Sequence, residues 1–256
     1  MCKRFHVVQI WVVLVLAINC IVLKIPVGAE ESRIAEWVTL LPDHKGGWYH
    51  HPDLSPDDRY TAMSIGERDF DRNTIWIHDS ETGKLTQLTT PESKMLWGDV
   101  MVRWSPNGEL LGFASDRGGE SHLYTISADG SNLRKITSKP LPFSAWDCRF
   151  SFSPDGRKIL YSDGEDGEDG EDGETNLFTF DLVDKRIEQI TNFSGRVISA
   201  PDWSSDGKFI VYQSDEKFYI WDLERQVESL IDTDRTGSFP TWSPDGQWIG
   251  FQQREY

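Results

Sequence analysis

Three histidines stand close together near the start of the chain, His44, His50 and His51, with Asp53 just after them. Imidazoles and a carboxylate are the donor set of a transition-metal centre or of an acid–base pair. Their spacing matches no metal cage. Neighbours on a strand point to opposite faces, so only one of His50 and His51 could join a site, and His51 is taken as a candidate binding residue. A second group is the run that begins Asp163-Gly164-Glu165 and repeats the triplet three more times, ending at Glu174. Carboxylates suit calcium, but a cage needs a defined turn and carbonyl ligands as well. The tract at 163–174 is therefore expected to be a solvated acidic loop, and no cofactor or metal is expected on this chain. No Gly-x-Ser-x-Gly elbow, phosphate loop or His-Glu-x-x-His motif occurs, which argues against an enzyme.

A third group is aromatic. Trp97 lies in a long segment from Thr90 to Val100, and Phe143 and Trp146 lie in another from Ser138 to Asp147. Large rings on long connections are the usual anchors of a binding face. These three residues and His51 are the candidate binding set. Charge narrows the partner: 26 Lys plus Arg stand against 42 Asp plus Glu. Nucleic acid is excluded, because phosphate binding needs a basic footprint. A protein or glycan remains.

The elements that position these residues are legible from a repeated turn. Trp242-Ser243-Pro244-Asp245-Gly246 recurs as Trp104-Ser105-Pro106-Asn107-Gly108, Phe152-Ser153-Pro154-Asp155-Gly156, Trp203-Ser204-Ser205-Asp206-Gly207 and, most worn, Leu54-Ser55-Pro56-Asp57-Asp58. Pro presets φ, Asp or Asn bonds back to its own backbone, and Gly takes positive φ freely. The regularity assigns Asp57, Asn107, Asp155, Asp206 and Asp245 to turn locking rather than catalysis. The turn serines fall at 55, 105, 153, 204 and 243, at intervals of 50, 48, 51 and 39 residues. Each turn leads into an apolar strand: Tyr60 to Ile65, Leu110 to Ser115, Ile159 to Ser162, Phe209 to Ser214 and Trp248 to Gln252. In all but the last unit a second, aromatic strand follows: Thr74 to His78, His122 to Ile126, Asn176 to Phe180 and Phe218 to Trp221. A third strand then ends at Leu88-Thr89, Ile136-Thr137, Ile190-Thr191 or Leu230-Ile231. With the segment entering the turn, this makes four short antiparallel strands per unit. Such sheets bury both faces only when packed around an axis, so the fold class is all-β, a β-propeller of about five blades. The large residue before each turn then wedges between blades.

The last unit has only its first two strands before Tyr256. It is expected to be incomplete, the chain being cut short there, or to be closed by an N-terminal strand from Ala35 to Leu41. Residues 1–29 read as a leader: Lys3 and Arg4, an apolar run from Val7 to Leu23, then Val27-Gly28-Ala29 before Glu30. Cleavage after Ala29 would leave 23 basic against 42 acidic residues, a net of −19, with Cys148 the one remaining cysteine and read as a buried, inert thiol. An uncleaved 7–23 helix would instead tether the protein to a membrane. The propeller then spans 30–256, and the location is periplasmic or secreted.

These units resemble the TolB-type β-propeller repeat, whose pattern is Trp-Ser-Pro-Asp-Gly, an apolar strand, Ser-Asp-Arg, an aromatic strand, Asp-Gly and Leu-Thr. The second unit is the fullest match, with Trp104 to Gly108, Ser115-Asp116-Arg117, His122 to Ile126, Ala128 to Asn132 and Ile136-Thr137. The resemblance covers about residues 48–256. It implies a propeller. For function it implies either a non-catalytic partner protein of the cell envelope, or the propeller of a prolyl-oligopeptidase-like peptidase or polysaccharide lyase. Only about 18 residues lie between Ala29 and Trp48, so no counterpart of the envelope protein's amino-terminal α/β domain is expected.

Overall fold

A computed structural model describes residues 6–7, 48–66, 72–90, 92, 96–142, 149–165, 173–233 and 237–252. Strand β1 (His6–Val7) comes first in the chain. The first sheet is β2 (Trp48–Leu54), β3 (Tyr60–Gly66), β4 (Thr74–Asp79) and β5 (Leu85–Gln87); the second is β6 (Asp99–Trp104), β7 (Leu110–Ser115), β8 (His122–Ser127) and β9 (Arg134–Lys135). The third is β10 (Phe150–Phe152), β11 (Lys158–Glu165), β12 (Glu174–Asp181) and β13 (Ile187–Gln189); the fourth is β14 (Ser199–Trp203), β15 (Phe209–Ser214), β16 (Lys217–Asp222) and β17 (Val227–Leu230). All four are antiparallel with strands in sequence order. The fifth sheet holds β18 (Ser238–Trp242), β19 (Trp248–Gln252) and β1. There β1 lies beyond β19, where the other sheets have their third strand, and it runs parallel. The segment Ala35 to Leu41 lies outside the described residues, as do Phe143, Trp146, Cys148 and most of the leader.

The turn works through its serine. Ser55 Oγ donates to Asp57 at 2.5 Å and accepts the Tyr60 N–H at 2.8 Å, while Asp57 also accepts the Arg59 N–H. Ser105 with Asn107, Ser153 with Asp155, Ser204 with Asp206 and Ser243 with Asp245 repeat the arrangement. These hydrogen bonds draw Asp57, Asp155 and Asp245 below the usual carboxylate range. The worn copy keeps the geometry because Asp58 accepts φ 59°, close to the 71° of Gly108. The Leu-Thr pairs have an equally local cause. Thr89, Thr137 and Thr191 hydroxyls accept the N–H of Ile75, Leu123 and Leu177 at 2.8, 3.2 and 2.9 Å. In the fourth sheet the Ile231 N–H bonds Phe218 just as that of Ile190 bonds Leu177, so the equivalent pair is Ile231-Asp232, one residue later than the expected Leu230-Ile231.

Wedges separate the sheets. Trp104 is 8% exposed and packs against Ala62, Ile75 and Ile77 of the first sheet, with Tyr60 partly buried beside it. Phe152 joins Val100, Ala114 and Leu123 of the second, and Trp242 joins Val211 and Ile220 of the fourth. Each such ring withdraws enough apolar area for about 2–3 kcal/mol of stabilisation. Leu54, the first wedge, is 39% exposed.

The acidic tract departs from its expectation at both ends. Strands β11 and β12 continue into it, with Asp163 opposite Asn176 and Glu165 opposite Glu174, so the first Asp-Gly-Glu triplet is paired strand rather than loop. Gly164 is required there, because an added Cβ would collide with the Glu174 carbonyl.

Candidate functional site

The inner strands do not run straight. Pairing slips between His50 and Asp53, Val100 and Arg103, Ser199 and Asp202, and Ser238 and Thr241. At each slip one non-glycine residue has positive φ: His51 49°, Met101 57°, Ala200 50° and Phe239 60°. A bulge adds one unpaired residue and bends the strand, and a left-handed residue with a Cβ costs about 1–2 kcal/mol. Pro52, Pro201 and Pro240 follow three of the four, which suits a place where one N–H would go unpaired. The bulge also corrects the expected alternation of His50 and His51. Their rings lie 6.0 Å apart, and the Met101 N–H donates to His51 Nδ1 at 3.4 Å. Burial pushes His50 down to about 4 and His51 to about 2, the latter also by Arg149 and Arg103, so both rings are neutral. Among the described residues no group of three or more His, Cys, Asp or Glu could hold a metal.

Just past the bulge, the residue before each wedge meets the next sheet. Asp53 accepts the Trp104 N–H at 2.6 Å, Ser151 accepts that of Trp203 at 3.1 Å, and Asp202 accepts that of Trp242 at 2.7 Å. Asp202 also accepts from Thr241 Oγ1 at 2.8 Å. Arg103 holds this position in the second sheet. A guanidinium has no acceptor, so it turns back and donates to Asp53 at 3.3 Å. Desolvation in these junctions pushes Asp53 and Asp202 above the usual carboxylate range, against the pull of their hydrogen bonds.

All five inner strands line one central cavity of about 470 Å³. Its polar wall includes Asp53, Arg103, Arg149, Asp202 and Gln252, and its apolar wall Phe150, Phe239 and Phe251. The Arg149 guanidinium lies 4.0 Å from the Phe239 ring centre, a cation–π contact. The two carboxylates are engaged with backbone N–H groups, while Arg103 keeps 42% of its side chain exposed. The arrangement can therefore take an anionic group, flanked by rings.

Trp97 is not in this wall. It is half-buried on the crossover between the first two sheets, where Asp116 accepts the N–H groups of Leu96, Trp97 and Gly98 at 2.9, 2.7 and 2.9 Å. Next to Asp116, Arg117 places one amino group 2.7 Å from both oxygens of the buried Asp99. The Ser-Asp-Arg element is thus a lock on the crossover. Asp53 stands out in the sequence only as a neighbour of the histidines, and Arg103, Arg149 and Asp202 do not stand out at all. The column before the wedge, Asp53-Arg103-Ser151-Asp202-Thr241, was available as a signal once the turns were aligned.

Antiparallel sheets with wedge rings between them and inner strands around a shared cavity define a β-propeller. The profile of the TolB beta propeller domain matches residues 102–255, more than half of the chain, and the chain belongs to that family. It is 34% identical over 114 residues to the uncharacterized peptidase YuxL of Bacillus subtilis, covering 43% of this chain and 16% of that protein. Among solved structures it resembles TolB from Acinetobacter baumannii, with TM-score 0.66 and 18% identity over 86% of this chain and 52% of that one. It also resembles an oligogalacturonate lyase in complex with manganese, with TM-score 0.64 and 16% identity over 84% of this chain and 65% of that one. At these identities the structural likeness concerns the fold. The chain spans 16% to 55% of the length of the curated relatives it matches.

Proposed function

We propose that this chain is a non-catalytic binding propeller of the cell envelope, whose channel receives an acidic group of a protein or glycan partner. The observation that supports this reading is the division of labour in the channel. Asp53 and Asp202, the carboxylates placed to act as bases, accept backbone N–H groups of the next sheet and hold the ring. Arg103 keeps 42% of its side chain exposed even while it donates to Asp53, and Arg149 lines the same cavity beside Phe239, so both turn positive charge toward a ligand there. Trp97, Phe143 and Trp146 would extend the contact along the crossovers. Export by residues 1–29 would bring the protein to this compartment; a mature chain beginning at Glu30 is the expected N-terminal sequence, and it would lose β1 and keep β18 and β19 as the fifth sheet.

The test is capture from envelope extract with the full chain, beside Arg103→Glu combined with Arg149→Glu. A partner retained by the natural chain, released by salt and lost in the double variant supports the reading. Equal capture by both, or no enriched partner, refutes it. A lyase is the second reading, favoured by the likeness to the manganese-bound lyase structure. Incubation with oligogalacturonate and manganese decides it: formation of unsaturated product would make the chain an enzyme.

A further inference from the structure

A second cavity, of about 510 Å³, lies between the first two sheets on the side of the turns, away from the channel. Its floor is Tyr60, Ile77, Leu88 and Trp104, and its rim includes Asp57, Asp129 and Asn107. One small side chain deepens it. The N–H of Ala128 bonds the Glu109 carbonyl, as that of Leu182 bonds Arg157 and that of Leu223 bonds Lys208. These are equivalent positions in successive sheets. Leu182 and Leu223 pack onto the inter-sheet cores before them, filling the space that Ala128 leaves open. The recess is thus a wedge junction short of one leucine side chain, in the size range of a small-ligand pocket.

The rim adds a sign. Asp57 is held ionised by Ser55 and the Arg59 N–H, and Asp129 by the hydroxyl and N–H of Ser131; both carboxyls lie below the usual range. Their hydrogen bonds fall on Oδ1 in each case. Arg59, two residues from Asp57, sits 4.9 Å from the Tyr60 ring centre and is committed to Asp79 and Glu81. From this geometry we infer a peptide-binding site between the first two sheets, for an extended partner segment carrying a branched apolar residue next to a lysine or arginine. The apolar side chain takes the place Leu182 and Leu223 fill in their own sheets, and the basic group meets Asp57 and Asp129. Trp104 lines both cavities, but Asp57, Ala128 and Asp129 line this one and not the channel, so the variants at Ala128 and Asp129 tell the two sites apart.

The probe is acetyl-Leu-Lys-amide, titrated into the nitrogen-15-labelled full chain while the Trp104 indole resonance, assigned with Trp104→Phe, is followed. A saturable shift is expected, much weaker with acetyl-Leu-Glu-amide. Ala128→Leu should weaken it markedly, by occupying the place of the partner's apolar side chain, and leave the thermal midpoint unchanged or higher. Asp129→Asn, at an exposed rim position, should weaken the lysine peptide by about threefold and leave acetyl-Leu-amide unaffected. No movement of Trp104, an equal shift with the glutamate peptide, or a full shift in Ala128→Leu would overturn the inference. Should Ala128→Leu not fold, Asp129→Asn decides alone, and an unchanged lysine-peptide affinity there would overturn it too.

Discussion

Replacing Asp202 with alanine removes the latch between the fourth and fifth sheets. Two donors lose their acceptor, the Trp242 N–H at 2.7 Å and the Thr241 hydroxyl at 2.8 Å. The hydroxyl can turn toward solvent, whereas the N–H is fixed by the strand and lies in the junction. An orphaned buried donor costs about 1–3 kcal/mol, and loss of a charge-assisted partner puts this one in the upper half of that range. We therefore expect Asp202→Ala to lose about 2–3 kcal/mol. Asp202→Asn keeps a carbonyl oxygen for the Trp242 N–H and should lose about 1 kcal/mol. Urea unfolding read by tryptophan fluorescence measures both, provided the slope is unchanged between variants. An alanine variant within about 0.5 kcal/mol of the natural chain would refute the latch. So would an asparagine variant as damaged as the alanine one, because the role assigned to Asp202 is that of an acceptor.

Thr137→Val keeps the shape but leaves the Leu123 N–H without its acceptor, so a loss of about 1–3 kcal/mol is expected in the same assay. Gly246→Ala meets both a φ of 66° and a Cβ contact of 2.9 Å with Ser205 Oγ, and should cost about 1–2 kcal/mol. Asp116→Ala frees three N–H groups of the crossover, so hydrogen exchange at Leu96, Trp97 and Gly98 should accelerate while the strand amides stay protected. The pH dependence follows from His50 and His51, whose folded values, about 4 and about 2, lie below the unfolded value near 6.5. A depressed histidine favours folding above the unfolded value, and that contribution is lost as pH falls below it. Stability should drop by about 1 kcal/mol per pH unit for each ring between pH 6.5 and 4.5, and His51→Gln should flatten the slope; an unchanged slope in that variant contradicts the burial of the ring.

The turns were legible because their chemistry is local. Ser, Asp and Gly lie within three residues of one another, and their side-chain bonds reach no farther than the N–H five residues past the serine. Strand positions followed from them, and β7, β15 and β19 begin and end where the apolar pattern places them. The channel was not legible, because the bulge that shapes it is carried by His51, Met101, Ala200 and Phe239, none of them a residue that advertises positive φ. The prolines beside three of these residues were the overlooked sign, since a proline inside a strand marks an edge or a bulge. Asp53 and Asp202 read as ordinary acids because their partners are about 40 to 50 residues away in sequence. Trp97 drew attention as a ring on a long connection, yet what holds it is the Asp116 carboxylate, a member of a signature that seemed purely family-specific.

Arginine at position 103 has one more consequence. Among the described residues the seam between the second and third sheets lacks the hydrogen-bonded latch found at Trp104, Trp203 and Trp242, and it closes instead on Phe150 and Phe152, packed so closely that a Cβ on Gly112 would push the Phe150 ring aside. Apolar contact loses strength on cooling far more than a hydrogen bond does. The molecule therefore has a thermally distinct joint, and near freezing this seam should open before the latched ones, whereas on heating they would yield together.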